Sequence, residues 1–247
     1  MNEVIRALRA RKSVREFEER AVEAEKREAI LVSACEAPTA GNQQLYTILD
    51  VTDEAKKARL AELCDHQPFI AKAPMVLIFL ADVQKWYDAF LLAEAAPRRP
   101  GVGDLLLAVS DAVIAAQNAV VAAESLGLGS CYIGDVTEEY EEMRALLNLP
   151  EYVFPAAMLV IGYPTSSQLA RKKPVRERMR HIVQENTYRR RDAEELSEMF
   201  LQNHPEKDWG EHLRAFCRRK YNSDFAREMT RSVKRYLSHF QANEDEK

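Results

Sequence analysis

The stretch DLLLAVSDAVIAAQNAVVAAESLGLG, residues 104–129, constrains the fold of this chain more than any other. Ala, Val and Leu occupy almost its whole circumference, and a helix that is apolar all round belongs in a core or in a subunit interface. Gly127 and Gly129 mark its end. Two unbroken apolar runs lie on either side of it in the chain, MVLIFLAD after Pro74 and FPAAMLVIGYP further on. Runs of that kind suit strands buried on both faces of a sheet. A helix that needs cover, together with strands that need cover on both faces, predicts a sheet wrapped by helices.

Around that frame, helical and strand patterns intermingle from residue 1 to about 165. Val4, Ile5 and Leu8 mark one face of a short opening helix that ends in the basic cluster RARKSVR. VEAEKREAILVSACEA reads as a second helix with Ala29, Ile30, Ala34 and Ala37 as its inward stripe. LYTILDV is a strand, DEAKKARLAELC a helix, SCYIGDV a short strand or turn, and EEYEEMRALL a helix. The order is α+β. From Arg189 onward only charged helical pattern remains: AEELSEMFLQ, WGEHLRAFCRRKY and SDFAREMTRSVKRYLSHF, the last with Ser223 as N-cap. Phe200, Trp209, Leu213, Phe216, Phe225, Met229, Tyr236 and Leu237 are its apolar anchors. Helices of this length are marginal alone in water, so the extension must dock on something.

Composition removes several classes of function. The net charge of -4, with both signs interspersed, leaves no footprint for nucleic acid. Cys35, Cys64, Cys131 and Cys217 form no C-x-x-C pair, which predicts free core thiols in a reducing compartment and no metal site. The opening MNEVIRALRARKSVREF is charged throughout, unlike a secretory signal, and no apolar run reaches the roughly 18 residues of a membrane span. A cytoplasmic protein without a membrane partner is expected.

Three constellations carry possible chemistry. Arg11, Lys12, Ser13 and Arg15 combine guanidinium forks with a hydroxyl, a set that can hold a phosphate. Arg171, Lys172, Lys173 and Arg176 form a second cationic set, and a solvated basic surface explains either set alone. The loop EAPTAGNQQLY is dense in backbone amides, with Asn42 and Gln44 as directional partners for a planar heterocycle. A helix-to-strand connection explains its Pro38 and Gly41 well and its NQQ less well. The glycines of LGLGSCYIGDV suit either a tight turn or close approach to a ligand. Neither G-x-G-x-x-G nor a P-loop occurs. His181, His204, His212 and His239 read as surface residues, and His66 is unpaired in sequence. No nucleophile–base or paired-carboxylate pattern stands out, so a cofactor is expected to carry any chemistry.

In this order the pieces resemble the nitroreductase family of FMN-dependent oxidoreductases. RKSVREF is similar to the family's opening R-R-S-x-R-x-F, and APTAGNQQLYTILDV to its A-P-S-x-x-N-x-Q-P-W segment and following strand. GLGSCYIGDV resembles the second flavin segment, LPEYVFPAAMLVIGYP the strand ending in G-Y-P, and RMRHIVQENTY the closing segment. The resemblance covers residues 1–188 and leaves 189–247 as a helical C-terminal extension.

The resemblance implies an α+β fold with a central, mostly antiparallel sheet covered by helices, and a homodimer with FMN at its interface. One subunit would supply Arg11, Lys12, Ser13 and Arg15, with Lys173 and Arg176 closing on the phosphate. The partner would supply the Pro38, Thr39, Ala40, Asn42 and Gln44 loop. Gln67 would meet the ring edge, and Tyr132, Ile133, Gly134 and Asp135 would line the flavin, with the Gly134 N–H toward its N5. NADH or NADPH would reduce the flavin, and a nitroaromatic, a quinone or a similar small acceptor would reoxidise it in ping-pong order, with no obligatory catalytic side chain. A dehalogenase-like or flavin-consuming member, or a non-catalytic flavin-binding protein, are the alternatives. Tyr46 and Leu45 depart from the family's W and P, Asp135 stands where many members have Gly, and KKPVR offsets the closing basic pair between Lys172 and Lys173.

Overall fold

A computed structural model describes residues 1–202 and 208–241. Its contacts define two compact units, residues 1–171 together with the C-terminal stretch from Glu228, and Lys172–Arg227. The first unit contains α1 (Glu3–Ala10), α2 (Ala24–Cys35), β1 (Tyr46–Asp50), α3 (Glu54–Leu63), α4 (Pro68–Lys72), β2 (Met75–Asp82), α5 (Gln84–Leu92) and α6 (Val102–Ser125). It continues with β3 (Gly129–Ile133), α7 (Tyr140–Leu147), β4 (Val153–Gly162) and α8 (Ser166–Ala170). The second holds α9 (Met179–Ile182), α10 (Ala193–Leu201) and α11 (Trp209–Lys220); α12 (Asp224–Ser238) belongs to the first from Glu228 onward.

The sheet runs β1-β2-β4-β3, antiparallel throughout. Every residue of β2 is buried, and its side chains alternate between two cores. Val76, Ile78 and Leu80 face α3, α4, α7 and Tyr236 of α12, with Met158 and Val160 from β4. Met75, Leu77 and Phe79 face α2 and α6, with Leu159 and Ile161. Cover on both faces is what an uninterrupted apolar strand requires.

The long helix α6 meets its expectation in two halves. Ala112, Ala115, Ala116, Ala119, Val120 and Ala123 are buried against the sheet and α2. Leu106, Leu107, Val113 and Ile114, on its other face, are 40–61% exposed. By length and composition α6 would reach across a bilayer, contrary to the sequence expectation, but its buried face serves the core of a sheet.

Several sequence expectations are corrected. Ala29 is exposed, and the inward stripe of α2 is Ile30 and Ala34, followed by Ala37. Val4, Ile5 and Leu8 of α1 are also exposed. Helix α5 occupies a stretch for which the sequence pattern indicates no element; it buries no residue completely. Cys64 and Cys131 are core thiols, but Cys35 and Cys217 are at the surface. His181 is buried rather than exposed, because Glu177 and Glu198 flank its ring at 3.1 and 3.7 Å and compensate the loss of water. His239 is half-buried, 2.6 Å from the Tyr140 hydroxyl. His204 lies outside the described residues. Of the C-terminal anchors, Tyr236 is fully buried, whereas Phe200 and Phe216 remain more than a third exposed.

The packing units divide at 171/172 and 227/228, while the expected boundary stands at 188/189. Residues 172–188 make local bonds with the helices that follow: the Gln202 amide donates to the Arg176 carbonyl, and Arg191 donates to that of His181. At the other end, Tyr236 and Phe240 bury themselves in the first unit.

Candidate functional site

The basic segment after α1 is placed by β3. The Val14 N–H donates to the Ser130 carbonyl at 3.0 Å, and Ser13 and Ser130 form a parallel bridge. This close approach needs glycine at 129, where a Cβ would stand 2.5 Å from Val14 Cγ2. The space beside Gly129 thus admits the chain itself and not a ligand. Gly127, with φ of 77°, makes the turn that precedes it.

The placement sets a cationic field along β3. Arg11 Nε and Nη2 are buried without a hydrogen-bond partner. Buried guanidinium nitrogens ordinarily have an acceptor, and this fork has none among the described residues. Burial pushes the Tyr132 phenol up to about 12, with the positive charge of Arg11 pulling the other way. Burial likewise raises the Cys131 thiol, opposed by Arg15, Ser13 and Arg11. Lys12 donates to the carbonyls of Leu169, at 2.8 Å, and Arg171, which leaves one N–H of its ammonium. The Arg15 N–H donates to Gln168 Oε1 at 3.3 Å, so the backbone at Arg15 is held by a residue of α8.

The loop between α2 and β1 is organised by one buried carboxylate. Asp111 of α6, 3% exposed, accepts from the Thr39 hydroxyl, from the Ala40 N–H at 3.1 Å and from the Leu45 N–H at 3.2 Å. Gln44 donates its N–H to Thr39 Oγ1 and its amide to Asn42 Oδ1, both at 2.8 Å. Gly41, Asn42 and Gln44 have φ of 55°, 57° and 45°, in the left-handed region where Gly and Asn are least strained. The Trp86 Nε1–H caps the Gln43 carbonyl at 2.7 Å. Beside it lies a cavity of about 390 Å³ lined by Leu45, Trp86, Tyr87, Phe90 and Leu107.

The turn after β3 completes the set. Asp135–Thr137 form a single 3-10 turn beginning at Gly134, which is exposed and where an added Cβ would meet nothing within 4 Å. The Gln67 amide donates to the Cys64 carbonyl at 2.8 Å and to the Asp135 carboxylate. Both its N–H groups are thereby engaged, and its carbonyl oxygen is what it presents to a ligand.

The architecture therefore joins Arg11, Ser13 and Arg15 to Ser130–Tyr132, and Gln67 to Asp135. The Pro38–Gln44 loop is anchored on α6, which also receives the Tyr132 hydroxyl at Gln117 Oε1, 3.3 Å. Lys173 and Arg176 belong to the second unit, Lys173 partly buried and Arg176 exposed. The described residues hold no cluster of His, Cys, Asp and Glu that would bind a metal ion.

The model of the nitroreductase family matches residues 8–163, which contain all of these segments except α8, Arg171, Lys173 and Arg176. The chain belongs to the nitroreductase family. It is 32% identical over 238 residues to the FMN reductase [NAD(P)H] of Bacillus subtilis, covering 96% of this chain and 91% of that protein. The oxygen-insensitive NADPH nitroreductase of Salmonella typhimurium is 31% identical, covering 87% and 90%. Among solved structures, NfrA2 of B. megaterium superposes with a TM-score of 0.79 at 32% identity, covering 96% of this chain and 98% of the other.

Two buried acids beside these segments escape a reading of motifs: Asp111, and Glu138 just after the Asp135–Thr137 turn. Asp111 has a signal, an acid in the apolar middle of a helix whose other acids, Asp104 and Glu124, stand near its ends. Glu138 has none, because EE after a turn reads as solvated charge.

Proposed function

We propose that this nitroreductase-family chain is an FMN-dependent oxidoreductase that takes electrons from NADH or NADPH and passes them to a small acceptor such as a nitroaromatic or a quinone. The observation that carries the reading is the buried, unpartnered fork of Arg11 beside β3. The relatives named FMN reductase and NADPH nitroreductase support it. The residues fit FMN: Arg11 and Ser13 suit its phosphate, and the Gln67 carbonyl suits a ring N–H. Lys12, Arg15, Lys173 and Arg176 are assigned to the phosphate and ribityl chain, and Tyr132, Ile133, Gly134 and Asp135 to the ring. FMN, when bound, supplies the two-electron redox chemistry. The part played by the protein is to hold an anion, orient a planar ring and exclude water from it.

The working unit is proposed to be a homodimer in which the partner contributes the Pro38–Gln44 loop. The apolar exposed face of α6, with Leu91 and Leu92 of α5 and Val4 and Leu8 of α1, supports such an interface. Residues 189–247 are assigned to a stabilising arm, and unpaired thiols suit the cytoplasm as the compartment.

Acid precipitation should release a yellow chromophore that behaves as FMN. Arg11→Ala should weaken FMN binding by about one to two decades, because a charge-assisted hydrogen bond contributes roughly 1.5–3 kcal/mol. Wild-type affinity in that variant overturns the assignment of Arg11. A protein that holds FMN but does not turn over NADH or NADPH under steady-state conditions is a flavin-binding protein instead.

A further inference from the structure

Glu138 follows the turn that the proposed function places against the flavin, and it is 5% exposed. Its Oε1 is buried without a hydrogen-bond partner. The groups that face it are acidic: Asp135 and Glu139 from its own segment, Asp65 from the end of α3, and Glu228 from α12. The Cys64 thiol, itself fully buried, also lies within its field. Arg231 of α12, which lies beside Glu228, is engaged by Glu141 and Glu228. A carboxylate in this place would have little solvent and, among the described residues, only acids acting on it.

The same residue lies where the turn leads into α7 and α7 meets α12. The Glu138 N–H donates to the Asp135 carbonyl at 3.0 Å, closing the turn, and the Thr137 N–H to that of Gly134 at 3.1 Å. Two residues on, the Tyr140 N–H donates to Ser232 Oγ of α12 at 2.9 Å, and that hydroxyl donates to Glu228 at 2.7 Å.

We propose that Glu138 is a positioning residue for the flavin-facing turn: as the neutral acid it lets the turn close and Tyr140, two residues on, seat on Ser232 of α12, and its ionisation opens that arrangement. Burial and the four neighbouring acids push its carboxyl up to about 8, so the closed turn carries the proton at neutral pH. The open turn exposes an ordinary carboxyl. Between about 4.5 and about 8 the closed form therefore binds one proton more than the open form. Opening becomes about tenfold easier for each pH unit in that window and levels off above it.

The location of the flavin rests on the proposed function; the closure of the turn does not. Amide hydrogen exchange on the full chain reads the turn directly at Thr137, Glu138 and Tyr140. After correction for intrinsic rates, protection in the wild type should fall about tenfold per pH unit from pH 5 to 7.5 and flatten above 8. In Glu138→Gln, which keeps the shape and cannot ionise, the slope should vanish. A slope of equal size in the two proteins overturns the proposal, and so does a Glu138 carboxyl found ionised at pH 6 by isotope-edited infrared spectroscopy. FMN at 100 times its Kd should add about 100-fold protection at the same amides if the closed turn is the flavin-binding form. Binding without added protection overturns the positioning role. Failure to bind FMN at any pH overturns the proposed function, and the exchange slopes still decide Glu138.

Discussion

Two segments of the candidate site are each held by a buried acid, and they are held in opposite ways. The Pro38–Gln44 loop hangs on Asp111, whose carboxylate accepts from one hydroxyl and two backbone N–H groups. The Gly134–Thr137 turn sits over Glu138, whose Oε1 accepts from nothing and faces other acids. Both acids are almost fully buried. Burial alone therefore says little about what a carboxyl does; its donors decide. Three donors make Asp111 a fixed anchor. Their absence leaves Glu138 answerable to pH, and α12 has to secure the turn from outside.

The largest effect should come from the fixed anchor. Asp111→Ala leaves the Thr39 hydroxyl and the Ala40 and Leu45 N–H groups without their acceptor. An orphaned buried donor costs about 1–3 kcal/mol; Leu45 is buried and Thr39 and Ala40 are half-buried, which keeps the sum near the lower end, roughly 3–5 kcal/mol. That is a large share of the stability of an ordinary domain. Thermal unfolding measures it, and Asp111→Asn, which keeps one acceptor oxygen, should lose about half as much. If the alanine variant melts like the wild type, the loop has another anchor and the contrast with the turn fails.

What was legible in the sequence follows the same division. Unbroken apolar strands and a long apolar helix announce themselves, because burial on both faces leaves no room for polar residues along β2. Order and spacing of the motifs likewise point to the family before any coordinates. The partners of the motifs do not announce themselves. Val14 lies against Gly129 across more than a hundred residues, and no local pattern encodes that pairing. Helix α5 went unread because the aromatic residues of QKWYDAFLL line a cavity instead of a core stripe. His181 looked like surface because its counter-charges, Glu177 and Glu198, read as solvated helix.

A smaller effect tests the outside clasp. Ser232 is fully buried, accepts the Tyr140 N–H and donates to Glu228. Ser232→Ala should cost about 1–3 kcal/mol by leaving that N–H unpaired, and hydrogen exchange at Tyr140 should rise while exchange at Leu45 stays unchanged. Equal acceleration at both positions would show that the turn and the loop open as one unit.

The clasp should also weaken on the acid side, where the loop should not. His239 lies 2.6 Å from the Tyr140 hydroxyl, with Arg144 donating to that same oxygen at 2.9 Å. Burial, then the charge of Arg144, holds the imidazole below its ordinary range, with Glu151 pulling the other way. The unfolded chain therefore binds a proton more readily than the folded one. The contribution of neutral His239 is complete above about 6.5 and is lost as pH falls through the lower folded value. His239→Gln should remove this acid-side loss in melts followed from pH 7 to 5, against the opposing slope from Glu138. An unchanged profile below pH 6.5 would remove His239 from the clasp.

The smallest change is expected at Tyr236, and its sign is the informative part. Its ring is 1% exposed and packs edge-on against Tyr140, 4.6 Å between centroids, and Phe154, 5.1 Å. Its hydroxyl is buried without a partner. Tyr236→Phe keeps the ring contacts and removes a polar group that lost its water on folding for nothing in return. Replacing such a group by an apolar one of the same shape ranges from neutral to stabilising, by about 1 kcal/mol. The Asp111 loop contains no equivalent, since every oxygen of its anchor is engaged, so no side-chain deletion there should stabilise. Chemical denaturation of the variant settles the matter. A loss greater than about 1 kcal/mol with an unchanged m-value would mean that the hydroxyl holds a partner in solution. The turn would then be held through a hydrogen-bonded side chain, as the loop is, and the difference between the two regions would narrow to Glu138 alone.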